Sequence, residues 1–387
     1  MLILLVAFLV SVIITLGLVR FSSARSRFSD LDLKGPQKFH AVPVPRVGGI
    51  AIFLGILSGI SIIQLRIENA IALSGFMLIL CALPAFVAGL VEDVTKSVSA
   101  GWRLLATALS AGLAFWFLDA QIRNTALPAI DWLVSFEAGA LLVTVLAVAG
   151  IANSINIIDG FNGLASMCVM IMLTALAYVA FQVGDNMVAM MALAGIGAVM
   201  GFFIWNFPAG LIFLGDGGAY FLGFFVAELS ILLLVRNPTV SPMFPLLVCI
   251  YPVFETLFSI YRRRFLRAVP PSMPDGIHLH SLIYRRVMRW AVGNRSAKAL
   301  TRRNSMTSPY LWLLCMMSVV PAVLFWDNTL ALAAALALFG VSYVVLYWRI
   351  VRFKAPRWLR FSTAPVPLLP ARKPDREPGL EPGRDNP

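Results

Sequence analysis

Long apolar runs separated by short polar stretches follow one another from Leu2 to Ile350. A helix needs about 17–25 residues of this kind to cross a bilayer, and eleven runs reach that length. They start near Leu2, Val47, Ala70, Leu104, Ala138, Leu164, Met187, Leu211, Met243, Pro309 and Leu330. The pattern predicts an all-α, polytopic membrane protein of about eleven transmembrane helices. Polar motifs interrupt it at the ends of the runs near Ala138 and Leu211.

Composition agrees with that reading. Only 13% of the 387 residues are charged, about half the usual share in a soluble domain, and the mean hydropathy is +0.85. All four cysteines, Cys81, Cys168, Cys249 and Cys315, fall inside apolar runs, so neither a disulfide nor a zinc cluster is suggested. The formal charge of +12 suits cytoplasmic loops facing anionic lipid and calls for no nucleic acid. Placing the N-terminus outside puts 28 of the 31 Lys and Arg residues inside, leaving only Arg66, Arg123 and Arg236 outside. Positive charge collects on the cytoplasmic side, so the chain is expected N-out and C-in.

The first apolar run has its basic residues (Arg20, Arg25, Arg27) after it and no small-residue cleavage site, so it is expected to stay as a helix. Residues 1–361 form one membrane domain, with a basic cytoplasmic loop at 262–307. The Pro-rich tail 362–387 has too few apolar residues to fold and is expected to be disordered.

With this orientation every conspicuous polar cluster falls at the cytoplasmic face. The most informative is Asn153 to Ala165, Asn-Ser-Ile-Asn-Ile-Ile-Asp-Gly-Phe-Asn-Gly-Leu-Ala, which sets three amides and a carboxylate between two apolar runs. Such groups at the edge of hydrocarbon must be solvated by a ligand or a watery cavity. Asn156, Asp159 and Asn162 recur every three residues, which any helical continuation would place on one face. Asp216 lies in Phe213-Leu-Gly-Asp-Gly-Gly-Ala219, where glycine allows close backbone approach and a lone carboxylate suggests a hard cation. Glu92 and Asp93 close the third run, with Lys96 just beyond. His278 and His280, in a loop that also holds Arg262, Arg263 and Arg264, suggest phosphate recognition. A transporter would place its polar groups near mid-membrane; a cytoplasmic-face cluster suits an enzyme that joins a soluble substrate to a lipid.

In this order the motifs resemble the polyprenyl-phosphate N-acetylhexosamine-1-phosphate transferase family. The resemblance rests on His40-x-x-Pro-x-Pro-Arg-x-Gly-Gly49, Gly89-Leu-Val-Glu-Asp93, the Asn153–Ala165 segment, Gly215-Asp216 with Gly218, and Asp275-x-x-His-x-His280. Three departures stand out: Glu92 where the family has a first aspartate, Gly276 and Ser281 in place of an arginine and a last histidine, and Gly217 where a small hydroxylated residue or alanine is common. The loop changes bear on which sugar is read.

The resemblance implies transfer of an N-acetylated aminosugar 1-phosphate, by default N-acetylglucosamine, from a UDP-sugar to undecaprenyl phosphate. UMP would be released, in the bacterial inner membrane, at the start of an O-antigen or similar surface polysaccharide. It further implies Asp216 as ligand of Mg²⁺, with Mn²⁺ able to substitute, and Glu92, Asp93 and Asp159 as catalytic. His40, Lys96, Asn153, Asn156, Asn162, His278 and His280 would bind substrate. Membrane lipid surrounds such a protein, and a homodimer is compatible with it. CDP-alcohol phosphotransferases are disfavoured, because Asp159-Gly160 is followed by Phe-Asn-Gly-Leu rather than their signature. A lipid-linked-sugar flippase without transferase activity is the alternative, and outside the motifs mainly Glu228 would serve it.

Overall fold

The computed structural model describes residues 1–21, 29–30, 44–66, 69–266, 277–288 and 297–352. His40, parts of the basic loop and the C-terminal tail lie outside them. The described chain is helical apart from one antiparallel bridge between β1 (Ser29–Asp30) and β2 (Val44–Pro45). The long helices are α1 (Leu2–Phe21), α2 (Gly48–Arg66), α3 (Asn69–Thr95), α4 (Ala100–Phe117), α6 (Glu137–Ile158), α7 (Leu164–Gln182), α8 (Asn186–Asn206) and α9 (Gly215–Arg236). Short helix α5 (Pro128–Val134) lies between α4 and α6. After α9 come α10 (Met243–Val248), α11 (Ile250–Tyr261), α12 (Leu279–Leu282), α13 (Ala297–Leu324) and α14 (Thr329–Val351), with π-type turns at Arg262–Leu266 and Ile283–Val287.

Among the described residues nine helices are long and apolar enough to span a bilayer. Two of the eleven expected spans differ from the rest. The run near Leu104 is α4, which has 18 residues and begins with Trp102 and Arg103 in its first turn. The run near Met243 is broken at Cys249 into α10 and α11. The run expected from Leu211 becomes helical only at Gly215, because residues 207–214 form a loop that serves the polar end. The four cysteines are buried free thiols.

Helix α9 is the centre of the bundle. Every residue from Gly217 to Leu233 is buried, Glu228 among them. It packs against α3, α6, α2 and α7, while α1 and α14 present much of their surface outward. Small residues set the spacing at its start. A Cβ on Gly49 of α2 would strike the Gly218 backbone, and one on Gly89 of α3 would come within 2.6 Å of Gly217. The glycines around Asp216 therefore admit neighbouring helices, a use of close approach that the sequence reading assigned to a ligand. Within α3, Pro84 interrupts the backbone ladder, and Ser110 Oγ of α4 accepts a hydrogen bond from the Ala85 N–H at 3.1 Å. In a membrane such backbone groups must find partners inside the protein.

Successive helices run antiparallel, so one end of the bundle gathers the starts of α2, α4, α7 and α9 and the ends of α3, α6 and α8. The opposite end carries Arg66, Arg123, and the pair Asp185–Arg236, bonded at 2.8 Å.

Candidate active site

The first end holds a polar cavity of about 360 Å³. Its construction begins with backbone groups left over at helix starts, which have no partner within their own helix. Gly48 and Gly49 donate to the carbonyls of Phe213 and Leu214 at 3.0 and 2.9 Å, and Phe213 N–H donates to Pro45 O at 2.8 Å. The Pro-x-Pro-Arg-x-Gly-Gly segment is thereby paired to the loop that leads into α9. Gly215 closes the turn at φ +78°, where a side chain would collide with Arg46 O and the Asp93 carboxylate.

Asp93 lies 3% exposed against the start of α9. Its two oxygens accept the N–H groups of Asp216 and Gly217, each at 2.9 Å. A carboxylate on the first turn of a helix is favoured by those unpaired donors and by the helix dipole. This contact aims Asp216, in that same turn, at the cavity. Asn156 Nδ2 donates to Asp216 Oδ1 at 2.9 Å, Arg103 pairs with Oδ2, and Arg46 Nη2 stands 3.5 Å from Oδ1. Arg46 also reaches to 3.9 Å from Asp93. Burial raises the Asp159 carboxyl, just past the end of α6, from 3.8 to about 7; Arg46 opposes the shift, and Asp216 and Asp93 add to it.

Of the expected site residues, Asn156, Asp159, Asn162, Asp216, His278 and His280 line the cavity. Glu92, Asp93, Lys96 and Asn153 do not. Glu92 Oε2 accepts the Val98 N–H at 2.7 Å and so braces the α3–α4 turn. Lys96 stands exposed in that turn at φ +57°. Asn153 Oδ1 accepts the Tyr220 hydroxyl at 3.2 Å, joining α6 to α9 one turn beyond Asp216.

The expected single face for the Asn/Asp repeat breaks at Ile158, where α6 ends. Asn156 remains on the helix, whereas Asn162 is 4% exposed and spends itself on the scaffold. Its N–H donates to Asn304 Oδ1 at 2.8 Å, its Nδ2 to Pro208 O at 3.2 Å, and its carbonyl accepts Ser308 Oγ at 2.6 Å. Asn206 then fastens Gly163 and Ile212, at 2.6 and 2.7 Å. These bonds tie the 159–163 turn to α13 and to the loop before α9.

Among the described arginines of the basic loop, Arg264, Arg285 and Arg302 are exposed, whereas others are spent inside. Arg262 is 4% exposed and donates to Ile277 O at 2.9 Å and to the Tyr347 hydroxyl at 2.8 Å. Arg303 bonds Tyr284 O at 2.6 and 2.8 Å, and Arg286 bonds the last carbonyls of α14. Among the described residues, the guanidiniums that line the cavity are those of Arg46 and Arg103, from the other side of the site. Arg103 was not singled out in the sequence; the only signal was an arginine opening an apolar run soon after Glu92-Asp93. Glu255, buried in α11 beside both histidines, was likewise missed.

Chemically, the walls offer oxygen donors from Asp159, Asp216 and Asn156 next to two guanidiniums. Among the described residues no three of His, Cys, Asp or Glu come together as a metal cluster. One or two carboxylates with room for phosphate oxygens suit Mg²⁺, which keeps several waters and rarely sits in an all-protein cage. Guanidiniums suit phosphate oxygens.

Comparison with known proteins adds four observations. Residues 75–234 match the model of glycosyl transferase family 4. The chain is 31% identical over 297 residues to a probable undecaprenyl-phosphate N-acetylglucosaminyl 1-phosphate transferase of Bacillus subtilis, covering 75% of this chain and 78% of that protein. It is 27% identical to an undecaprenyl-phosphate alpha-N-acetylglucosaminyl 1-phosphate transferase of Thermotoga maritima (67% and 75% covered), and 27% identical to a phospho-N-acetylmuramoyl-pentapeptide-transferase of Oceanobacillus iheyensis (59% and 73% covered).

Proposed function

This chain belongs to glycosyl transferase family 4, and from that premise we propose that it transfers an N-acetylated aminosugar 1-phosphate from a UDP-sugar to undecaprenyl phosphate. The reaction takes place at the cytoplasmic face of a bacterial inner membrane and starts a surface polysaccharide. The observation that carries this reading is Asp216, held by Asn156, Arg46 and Arg103 on a polar cavity at one end of an apolar bundle. That end also adjoins the arginine-rich segments 262–266 and 283–288, as the charge rule requires of a cytoplasmic face. The remaining two expected spans, α4 and α10–α11, complete the eleven.

An oxygen of the acceptor phosphate forms a bond to the donor phosphorus that carries the sugar. The bond from that phosphorus to the bridging oxygen breaks, and UMP leaves with the electron pair. The second pKa of a phosphate monoester is about 6, so the acceptor is largely dianionic at neutral pH and positioning matters more than a strong base. Two anions must be brought together, and Arg46 and Arg103 offer them countercharge. Asp216, with Asp159, would hold Mg²⁺ or Mn²⁺; when bound, the ion offsets negative charge on the donor phosphates. Asp93 acts by holding Asp216 in place, and His278 and His280 face the donor.

The test is transfer of label from UDP-N-acetylglucosamine to undecaprenyl phosphate by detergent-purified protein, with Mg²⁺ or EDTA. Metal-dependent lipid product and released UMP support the reading. Failure across a panel of UDP-aminosugars, with the protein folded, sinks it in favour of a flippase, since UMP release needs no sealed vesicle.

A further inference from the structure

Behind the histidine wall of the cavity stands a carboxylate with no role in the scheme above. Glu255 belongs to α11 and is 1% exposed. Its Oε1 accepts the Leu279 N–H at 2.6 Å, and it lies 3.5 Å from His278 Nδ1 and 3.6 Å from His280 Nδ1. The two imidazoles stack with centroids 5.0 Å apart and planes 10° from parallel, so one carboxylate serves both rings from the same side. Both rings line the cavity, and the other nitrogen of each ring is Nε2. For His280 it comes 3.8 Å from where a Cβ on Gly160 would sit, and Gly160 lines the cavity. Phe161 meets the same ring edge-on at 5.5 Å.

The surroundings keep this arrangement in one orientation. Arg262 donates to the carbonyl of Ile277, the residue before His278, and to Tyr347, fixing the chain where it enters the His-x-His segment. A neutral imidazole carries one proton, and the partner at one nitrogen decides what the other presents. A proton on each Nδ1 would face the nearby Oε1 and leave both Nε2 atoms as acceptors, or as donors once the rings are protonated.

We infer that Glu255 is a positioning residue that holds His278 and His280 in the tautomer protonated at Nδ1, with both Nε2 atoms turned to the donor. The consequence for the donor rests on the transferase reading; the tautomers do not.

The full chain contains only three histidines, so selective ¹⁵N-histidine labelling and NMR in detergent resolves each of them, with His40 as internal control. The expected wild-type spectrum has His278 and His280 protonated at Nδ1. Glu255→Gln, which keeps an acceptor oxygen, preserves that state, and Glu255→Met, which removes it, releases both rings while leaving His40 unchanged. Unchanged tautomers in Glu255→Met overturn the inference. Should that variant fail to insert, a wild-type spectrum with His278 or His280 protonated only at Nε2 overturns it equally. In the transfer assay, Glu255→Met raises the donor KM about tenfold, the scale of losing a partner that orients a histidine, with a smaller change in kcat, and Glu255→Gln stays near wild type. Combined with the double substitution His278→Ala and His280→Ala it adds nothing further; additive losses would mean a merely structural role. The NMR arm needs no donor, so it decides the role of Glu255 even if no UDP-sugar is transferred.

Discussion

At Asp216 one carboxylate meets an amide and two guanidiniums, while its own backbone N–H is held by Asp93. Asp216→Asn keeps the shape and removes the charge. Membrane expression should be unchanged while transfer falls roughly a hundredfold or more, the scale of losing a preorganised electrostatic contact; near-normal turnover would remove Asp216 from the reaction. Gly215 makes a different demand, because its φ of +78° and the neighbouring Arg46 carbonyl leave no room for a methyl group. Gly215→Ala should lower the melting temperature and abolish transfer. Gly112→Ala in α4, with nothing within 4 Å of the added carbon, should be neutral or more stable by about 0.5–1 kcal/mol. Thermal melts of the two variants side by side check this contrast. The importance of Asp216 was legible from its glycine-rich setting. That glycine served helix packing was not, because the contacts join residues more than a hundred positions apart.

Among the elements, the α7–α8 turn shows how the far end is locked. Asp185 caps α8 by accepting the Val188 N–H at 3.2 Å, and it takes bonds from Arg236 Nε and Asn237 Nδ2 at 2.8 and 2.9 Å. Burial alone would raise its carboxyl; these hydrogen bonds outweigh burial and hold it below the ordinary 3.8. A depressed carboxylate contributes stability that is present above its unfolded pKa and is lost as pH falls through the folded one. The melting-temperature advantage of wild type over Asp185→Asn should therefore be constant near neutrality and shrink below about pH 4. An advantage that instead persists undiminished into acid would contradict the cap. At the polar end, the 159–163 turn is stitched to α13 through Asn162, Asn304 and Ser308. The three-residue spacing in the sequence pointed to a shared face, but helix α6 stops at Ile158 and the turn sends Asn162 into the scaffold. Ser308→Ala should leave the arginine side intact and loosen this turn, giving a lower melting temperature and a modest loss of transfer.

For the whole molecule, antiparallel packing brings seven helix ends to one polar cavity, and the orientation proposed for it is open to direct labelling. The native cysteines are buried, so Asn124→Cys should react with an impermeant maleimide from outside the cell, and Ser97→Cys only after permeabilisation. Reversed labelling would invert the topology and place the cavity on the wrong side for a cytoplasmic sugar nucleotide. By itself the sequence determined the membrane class, the helical runs and the polar segments between them, because these follow from local hydropathy and from the cost of stranding polar groups in hydrocarbon. It also marked Asn156, Asp159, Asp216 and the histidine pair as unusual for their surroundings. Only the tertiary structure decided that Arg103 and Arg46 meet Asp216, that Asp93 is spent on the start of α9, that Arg262 is folded inward, and that Glu255 stands behind His278 and His280. Each of those depends on a partner from a different helix. Local composition fixes how much polar surface a segment carries, but which charge it meets is set by the packing of the bundle.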